Sequence, residues 1–189
     1  MELFLLALLV FAQTPTPAPT AAQSDSDRAY VTQMAYARLE RARAIAADAE
    51  ILKAVAAKNA AGETMDAVRA KDAAWIADRN FPLRKELTRN PCAQRLRGLV
   101  DSDALIVEAL VMDAQGALVC STVETSDYWQ GDEPKWQRVQ AKSPGFVDEP
   151  ALDPSTGVYA VQLSVPVKDR ETKLGALTLT LRLPKPSLP

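Results

Sequence analysis

Aromatic rings and charged side chains crowd together in one stretch of the sequence, Thr125-Ser126-Asp127-Tyr128-Trp129-Gln130-Gly131-Asp132-Glu133-Pro134-Lys135-Trp136. Three flat rings, Tyr128, Trp129 and Trp136, lie close in sequence to polar groups at Ser126, Asp127, Gln130 and Lys135. That is the makeup of a small-molecule pocket, apolar walls with a few orienting polar groups. Filling of a core is the plain alternative for the rings, above all for Trp136 on a helix facing the sheet. The same stretch holds Asp127, Asp132 and Glu133, which raises acid–base chemistry or a metal site. Adjacent residues do not share a helix face, and a helix cap plus a solvated charge account for these acids.

The rest of the composition narrows the chemistry further. The chain has no histidine, so serine triads, HExxH zinc sites and histidine-ligated haem are excluded. Two cysteines, Cys92 and Cys120, cannot make a four-thiolate metal site within one chain. In an exported protein they favour a disulfide, and two buried free thiols are the alternative. With a net charge of −2 and interspersed signs, there is no basic face for nucleic acid or a membrane surface. A binding module with no cofactor and no metal is therefore expected, not an enzyme.

Several elements must position the loop. Residues 1–12, MELFLLALLVFA, form an apolar run shorter than the roughly 20 residues that span a bilayer. They match the hydrophobic part of a secretory signal, although Glu2 and no Lys or Arg precedes it, with cleavage after Ala12 or Ala22. No cysteine follows to carry a lipid anchor, and periplasmic or secreted localisation is expected. The Pro, Thr and Ala residues of 13–23 read as an extended linker. Ser24-Asp25-Ser26-Asp27 suits a helix start. From there to about Asn59 no Pro or Gly occurs, and Tyr30, Met34, Leu39, Ile45, Leu52 and Val55 recur at mostly helical spacing, which predicts one long amphipathic helix. Thr64 starts a second helix to about Ala77, Phe81-Pro82 reads as irregular, and Asn90-Pro91 starts a third to about Val100.

After residue 104 the period becomes two. Leu105–Met112 and Ala117–Val123 pair across Asp113-Ala114-Gln115-Gly116, and Val158–Val167 pairs with Leu174–Leu183. In this last hairpin Tyr159, Val161, Leu163, Val165 and Val167 share one face. A weak strand near Phe146–Ala151 makes about five, and Asp132 is expected to cap a short helix carrying Trp136. Helices segregated from strands in this order mean α+β with a central antiparallel sheet. The tail, Pro184–Pro189, is expected to stop the sheet without adding a membrane anchor.

Taken together, the long helix, the strand–Asp-x-x-Gly–strand hairpin, the Thr125–Trp136 string and the closing hairpin with Ser164-Val165-Pro166-Val167 and Leu174-Gly175 resemble the Cache (PDC) family of extracytoplasmic sensor domains. The likeness runs from about Ser24 to Leu183. It implies a single Cache-type domain with a PAS-like fold, the long helix packed on the sheet, and a ligand between the sheet and the loop. Ser126, Asp127, Tyr128, Trp129, Lys135, Trp136 and Tyr159 are the residues expected to contact that ligand. Members that bind amino acids use Arg-x-Trp-Tyr to hold the carboxylate. Here Pro134 and Gln137 flank Trp136 at the first and last places, so amino-acid specificity is not implied, and Lys135 would meet an anion only as a point charge. Most relatives sit between membrane helices, so signalling here implies a separate, membrane-bound partner. The ligand expected is a small organic metabolite, and a ligand-free interaction or scaffold module that keeps the fold is the alternative. The long helix either supports the sheet or also forms a homodimer.

Overall fold

The strongest alternating stretches make the centre of the sheet. Val158–Asp169 (β5) pairs along its whole length with Thr172–Pro184 (β6), and Ile106–Met112 (β1) pairs with the other side of β6. This is a computed structural model, and it describes residues 21–141, 143–153 and 158–184. Residues 1–20 and 185–189, expected to be signal, linker and tail, fall outside the described residues; Ala21, Ala22 and Gln23, expected to be extended linker, instead begin the helix Ala21–Tyr36, and Pro184 is the last residue of β6. Leu118–Ser121 (β2) lies on the outer side of β1. Phe146–Val147 (β3) and Ala151–Asp153 (β4) lie on the outer side of β5. The order is β2-β1-β6-β5-β3 with β4 also on β5, and every pairing is antiparallel. The weak strand near residue 146 is therefore two short ones; Asp148 N still donates to Gln162 O of β5, and the ladder is interrupted at Glu149 and Pro150, the second of which has no N–H to give.

Alternation places two different sets of side chains on the two faces. Ala109, Val111, Val161, Leu163, Val165, Leu177, Leu179 and Leu181 point to one side, while Leu110, Met112, Leu118 and Ala176 belong to a second core. The first side is covered by Ala21–Tyr36 (α1), Leu39–Ala46 (α2), Ala49–Ala60 (α3) and Pro91–Val100 (α6). These supply Val31, Ala42, Ile45, Ile51, Val55 and Leu96.

The predicted single long helix is thus three. Its second break has a clear cause: Asp48 caps α3 by accepting from the Glu50 N–H and is held by Arg95 of α6. A short carboxylate competes for backbone N–H groups and so ends one helix while starting the next. At the first break Arg38 turns back to the Met34 carbonyl and pairs with Asp103 at 2.7 Å, fastening the bend to the approach of β1. Met65–Ala77 (α4) starts at Thr64, whose hydroxyl accepts from the Ala67 N–H, and α6 starts at Asn90 in the same manner through Ala93. Pro82–Arg89 (α5) occupies the passage read as irregular; Pro82 stands in its first turn, where a missing N–H is harmless.

The outer edge of β2 is closed rather than left as a template for another strand. Ala117 bridges to Trp129, Leu118 N donates to Tyr128 O, and Asn90 Nδ2 donates to Val119 O at 3.0 Å. Beside it Cys92 of α6 and Cys120 of β2 form a disulfide, with Cα atoms 5.8 Å apart. The bridge closes a loop with a sequence separation of 28, worth about 3–4 kcal/mol on the chain-entropy model. Replacing both cysteines with alanine is expected to lower stability by about that amount in urea titrations, and an unchanged midpoint would contradict a bridged native state.

Candidate functional site

The loop between β2 and Pro134–Gln140 (α7) returns over the second face of the sheet, and the β1–β2 turn sets its path. The Asp113 carboxylate accepts from the N–H groups of Gln115 and Ala117 at 2.8 and 2.9 Å, and Gly116 adopts φ +83° to complete the turn. A side chain at Gly116 would run into the backbone of Gly131, so the turn and the loop touch main chain to main chain. Trp129 Nε1 donates to Gln115 O at 2.8 Å, Trp136 Nε1 to Asp113 O at 3.3 Å, and Gln130 N to Gly116 O at 2.8 Å. From the other side Asp72 of α4 accepts the N–H groups of both Tyr128 and Trp129 at 2.9 Å.

At the centre of this arrangement Tyr128 is 1% exposed, and its ring lies 6.0 Å from that of Trp75, which is also fully buried. Its hydroxyl accepts from Lys58 Nζ at 2.8 Å and donates to Glu63 Oε2 at 3.3 Å. Glu63 also pairs with Lys58 at 2.5 Å and with Lys71, so one carboxylate joins α3, α4 and the loop. Burial would push the Glu63 carboxyl up, but hydrogen bonds from Lys58 and Lys71 outweigh it and hold the carboxyl below its ordinary value. The stability it lends is therefore present above the ordinary carboxylate range and lost as pH falls through the lowered value. Burial, with the Glu63 charge adding to it, pushes the Tyr128 hydroxyl up, so it remains a protonated donor at neutral pH. Burial likewise pushes Asp113 up, against the two backbone N–H groups that favour its charge.

The residues expected to form one pocket do not converge. Tyr159 lies 1% exposed in the first core, under the helices and on the opposite face of the sheet from the loop, so it cannot share a pocket with Tyr128. Alternation with Val161 and Leu163 puts it there. Tyr128 is itself buried in the second core. Trp129 and Trp136 are half-buried against the second core. Lys135 is buried and pairs with Glu133 at 3.0 Å, which uses the charge once considered for an anion. Asp132 does not cap α7. Glu133 takes the cap position without a side-chain bond, and Asp127 is engaged within the loop by Ser126 and Gln130.

Ser126 differs, because it lines an open cleft of about 470 Å³ at the stem of the loop, with Ile76, Arg79, Arg84, Glu124 and Thr125. Arg84 forms the floor. It is 8% exposed, stacks 4.7 Å over Trp75, and donates to the carbonyls of Trp75 and Asp78 at 2.5 and 3.2 Å. Arg79 makes no hydrogen bond or ion pair among the described residues. Arg84, Lys58, Glu63 and Asp72 had no part in the sequence reading. Only Arg84 left a trace there, as a charge three residues before Leu87 on the buried face of α5.

No family model matches the sequence, and no curated protein matches it. Among solved structures the chain is similar to the ligand-binding domain of the Pseudomonas aeruginosa amino acid chemoreceptor PctC in complex with GABA. Identity is 13% over 84% of this chain and 58% of that one, with a TM-score of 0.44. The corresponding domain of the Campylobacter jejuni chemoreceptor Tlp3, in complex with 4-methylisoleucine, is 12% identical over 85% and 56%, with a TM-score of 0.48. That of Pseudomonas fluorescens CtaA in complex with L-isoleucine is 12% identical over 83% and 52%, with a TM-score of 0.44. The chain thus spans a little over half the length of each.

The raised Asp113 carboxyl has a measurable consequence. A carboxyl whose pKa is raised by folding opposes stability increasingly as pH rises through its folded value. Asp113→Asn keeps an oxygen for Gln115 N and Ala117 N and removes the buried charge. Its melting temperature at pH 7 is expected to equal or exceed that of the parent, with the advantage gone at pH 3, where Asp113 is itself neutral. A lower melting temperature at pH 7 would show that the charge is needed.

Proposed function

We propose that this chain is a single Cache-type sensor domain that works outside the cytoplasm, binds a small organic molecule without transforming it, and passes its state to a separate membrane-bound partner. The observation that supports this most is the way the loop is mounted. Its centre is locked to α3 and α4 through Tyr128, Lys58 and Glu63, while its stem, Glu124 to Ser126, forms one wall of an open cleft. A molecule in that cleft touches the loop and α4 together, so it can favour one arrangement of the two over another. Further support comes from the antiparallel sheet with α1, α2, α3 and α6 packed on one face, the Thr125–Trp136 string, and a sequence with no histidine for acid–base work. No helix among the described residues is long and apolar enough to cross a membrane.

A second reading, an interaction module that binds no small molecule, is favoured by one observation. The ring of Tyr128 itself occupies the space beneath the loop where a ligand was expected. A thermal-shift panel of small organic metabolites separates the two. A ligand at 100 times its Kd stabilises the native state by about 2.7 kcal/mol, so at least one compound is expected to raise the melting temperature in a saturable, concentration-dependent way. A panel that is flat throughout would leave the interaction module as the function.

A further inference from the structure

We propose that the cleft at the loop stem is a site for a small organic monoanion with a compact apolar body, its carboxylate held between the guanidinium groups of Arg79 and Arg84. This deepens the sensor reading and rests on it.

The two arginines differ in how they are held. Arg84 is buried and fixed: its Nε and Nη2 reach backbone carbonyls and its plane lies over Trp75. Its Nη1 has only two long contacts, 3.4 Å to Glu124 Oε2 and 3.4 Å to Thr125 O. At that length neither is a good hydrogen bond, so a donor that is already desolvated and oriented is left under-used at the floor of an open cleft. Arg79 lines the same cleft and has no partner among the described residues. A planar carboxylate matches the fork of a guanidinium better than any neutral group. Placed here it would satisfy Nη1 of Arg84 and neutralise Arg79.

The remaining lining residues restrict what the carboxylate can carry. Two guanidinium groups and the Glu124 carboxylate sum to one positive charge, which a monoanion balances; a dianion meets Glu124 as a like charge. Ile76, 60% exposed on the rim, is an apolar surface without cover and suits an aliphatic or aromatic body of a few carbons. The Glu124 side chain is half exposed and loosely held, so it moves aside, or accepts a hydrogen bond from the ligand, with little lost in exchange. Glu124 and Thr125 belong to the loop stem, so a ligand that replaces their contacts with Arg84 acts on the chain leading directly to Tyr128.

The test is calorimetric titration of the whole chain with acetate, isovalerate and benzoate, their neutral amides, succinate and inorganic phosphate. Binding is expected for the monocarboxylates, tighter for isovalerate and benzoate than for acetate, and at least about tenfold weaker for the amides, as the loss of a charge-assisted bond implies. Arg79→Gln should weaken the carboxylates by a similar factor without lowering the melting temperature of the free protein, since the native side chain holds nothing. Glu124→Gln should improve succinate and phosphate relative to the monocarboxylates. Amides binding as well as acids, or Arg79→Gln titrating like the parent, would overturn the anion site. Silence from every compound here alongside a hit in the wider metabolite panel would overturn the site and leave the sensor reading standing. Silence in both would remove the two together.

Discussion

Ala109 and Val111 point to one side of β1, Leu110 and Met112 to the other, and all four are fully buried or nearly so. A sheet that is apolar on both faces must be covered twice. Helices α1, α2, α3 and α6 cover only the first face. The second has to be roofed by α4, α5, α7 and the β2–α7 loop, and this requirement explains why the loop is folded down and fastened at so many points. Its backbone is bridged to β2, its two central N–H groups are taken by Asp72, and its indoles reach the β1–β2 turn. The ionic cluster around Glu63 stands where this roof meets the helical side. There a partly buried carboxylate is accommodated only because two lysines and a phenol share it.

Most of the framework was legible in the sequence. The two hairpins, the Asp113–Gly116 turn and the starts of α4 and α6 follow from period two, a left-handed glycine and Thr or Asn caps, all of which are local signals. The breaks in the N-terminal helix were not legible in the same way. Asp48 is unremarkable until Arg95, 47 positions away, turns up to hold it. The division of the second face was harder still. The crowding of rings in Thr125–Trp136 was visible, but whether they line a space or fill one depends on Trp75 and Val68, which arrive from α4. Tyr159 shows the same limit from the other direction: its face of β5 could be read, but not which layer would cover it.

For the proposed sensor function the consequence is a change of place rather than of kind. A roof filled by its own tyrosine leaves its stem as the accessible part. The stem carries the groups that the proposed recognition uses: a buried arginine with a spare donor, an arginine without a partner among the described residues, a loosely held carboxylate and a bare isoleucine. A domain built in this way would report occupancy through the balance between stem contacts and the Glu63 lock, a population shift between two packings of one loop.

The central claim, that residues 122–136 form a fastened roof rather than a mobile surface loop, is tested most directly by amide hydrogen exchange. The N–H groups of Tyr128, Trp129 and Gln130, each with an acceptor, should be protected to within about tenfold of the amides of β1 that pair with β6. Replacing Glu63 with glutamine should lower their protection while leaving β1 and β6 unchanged. Exchange of those three amides at the rate of unstructured chain in the parent protein would contradict it.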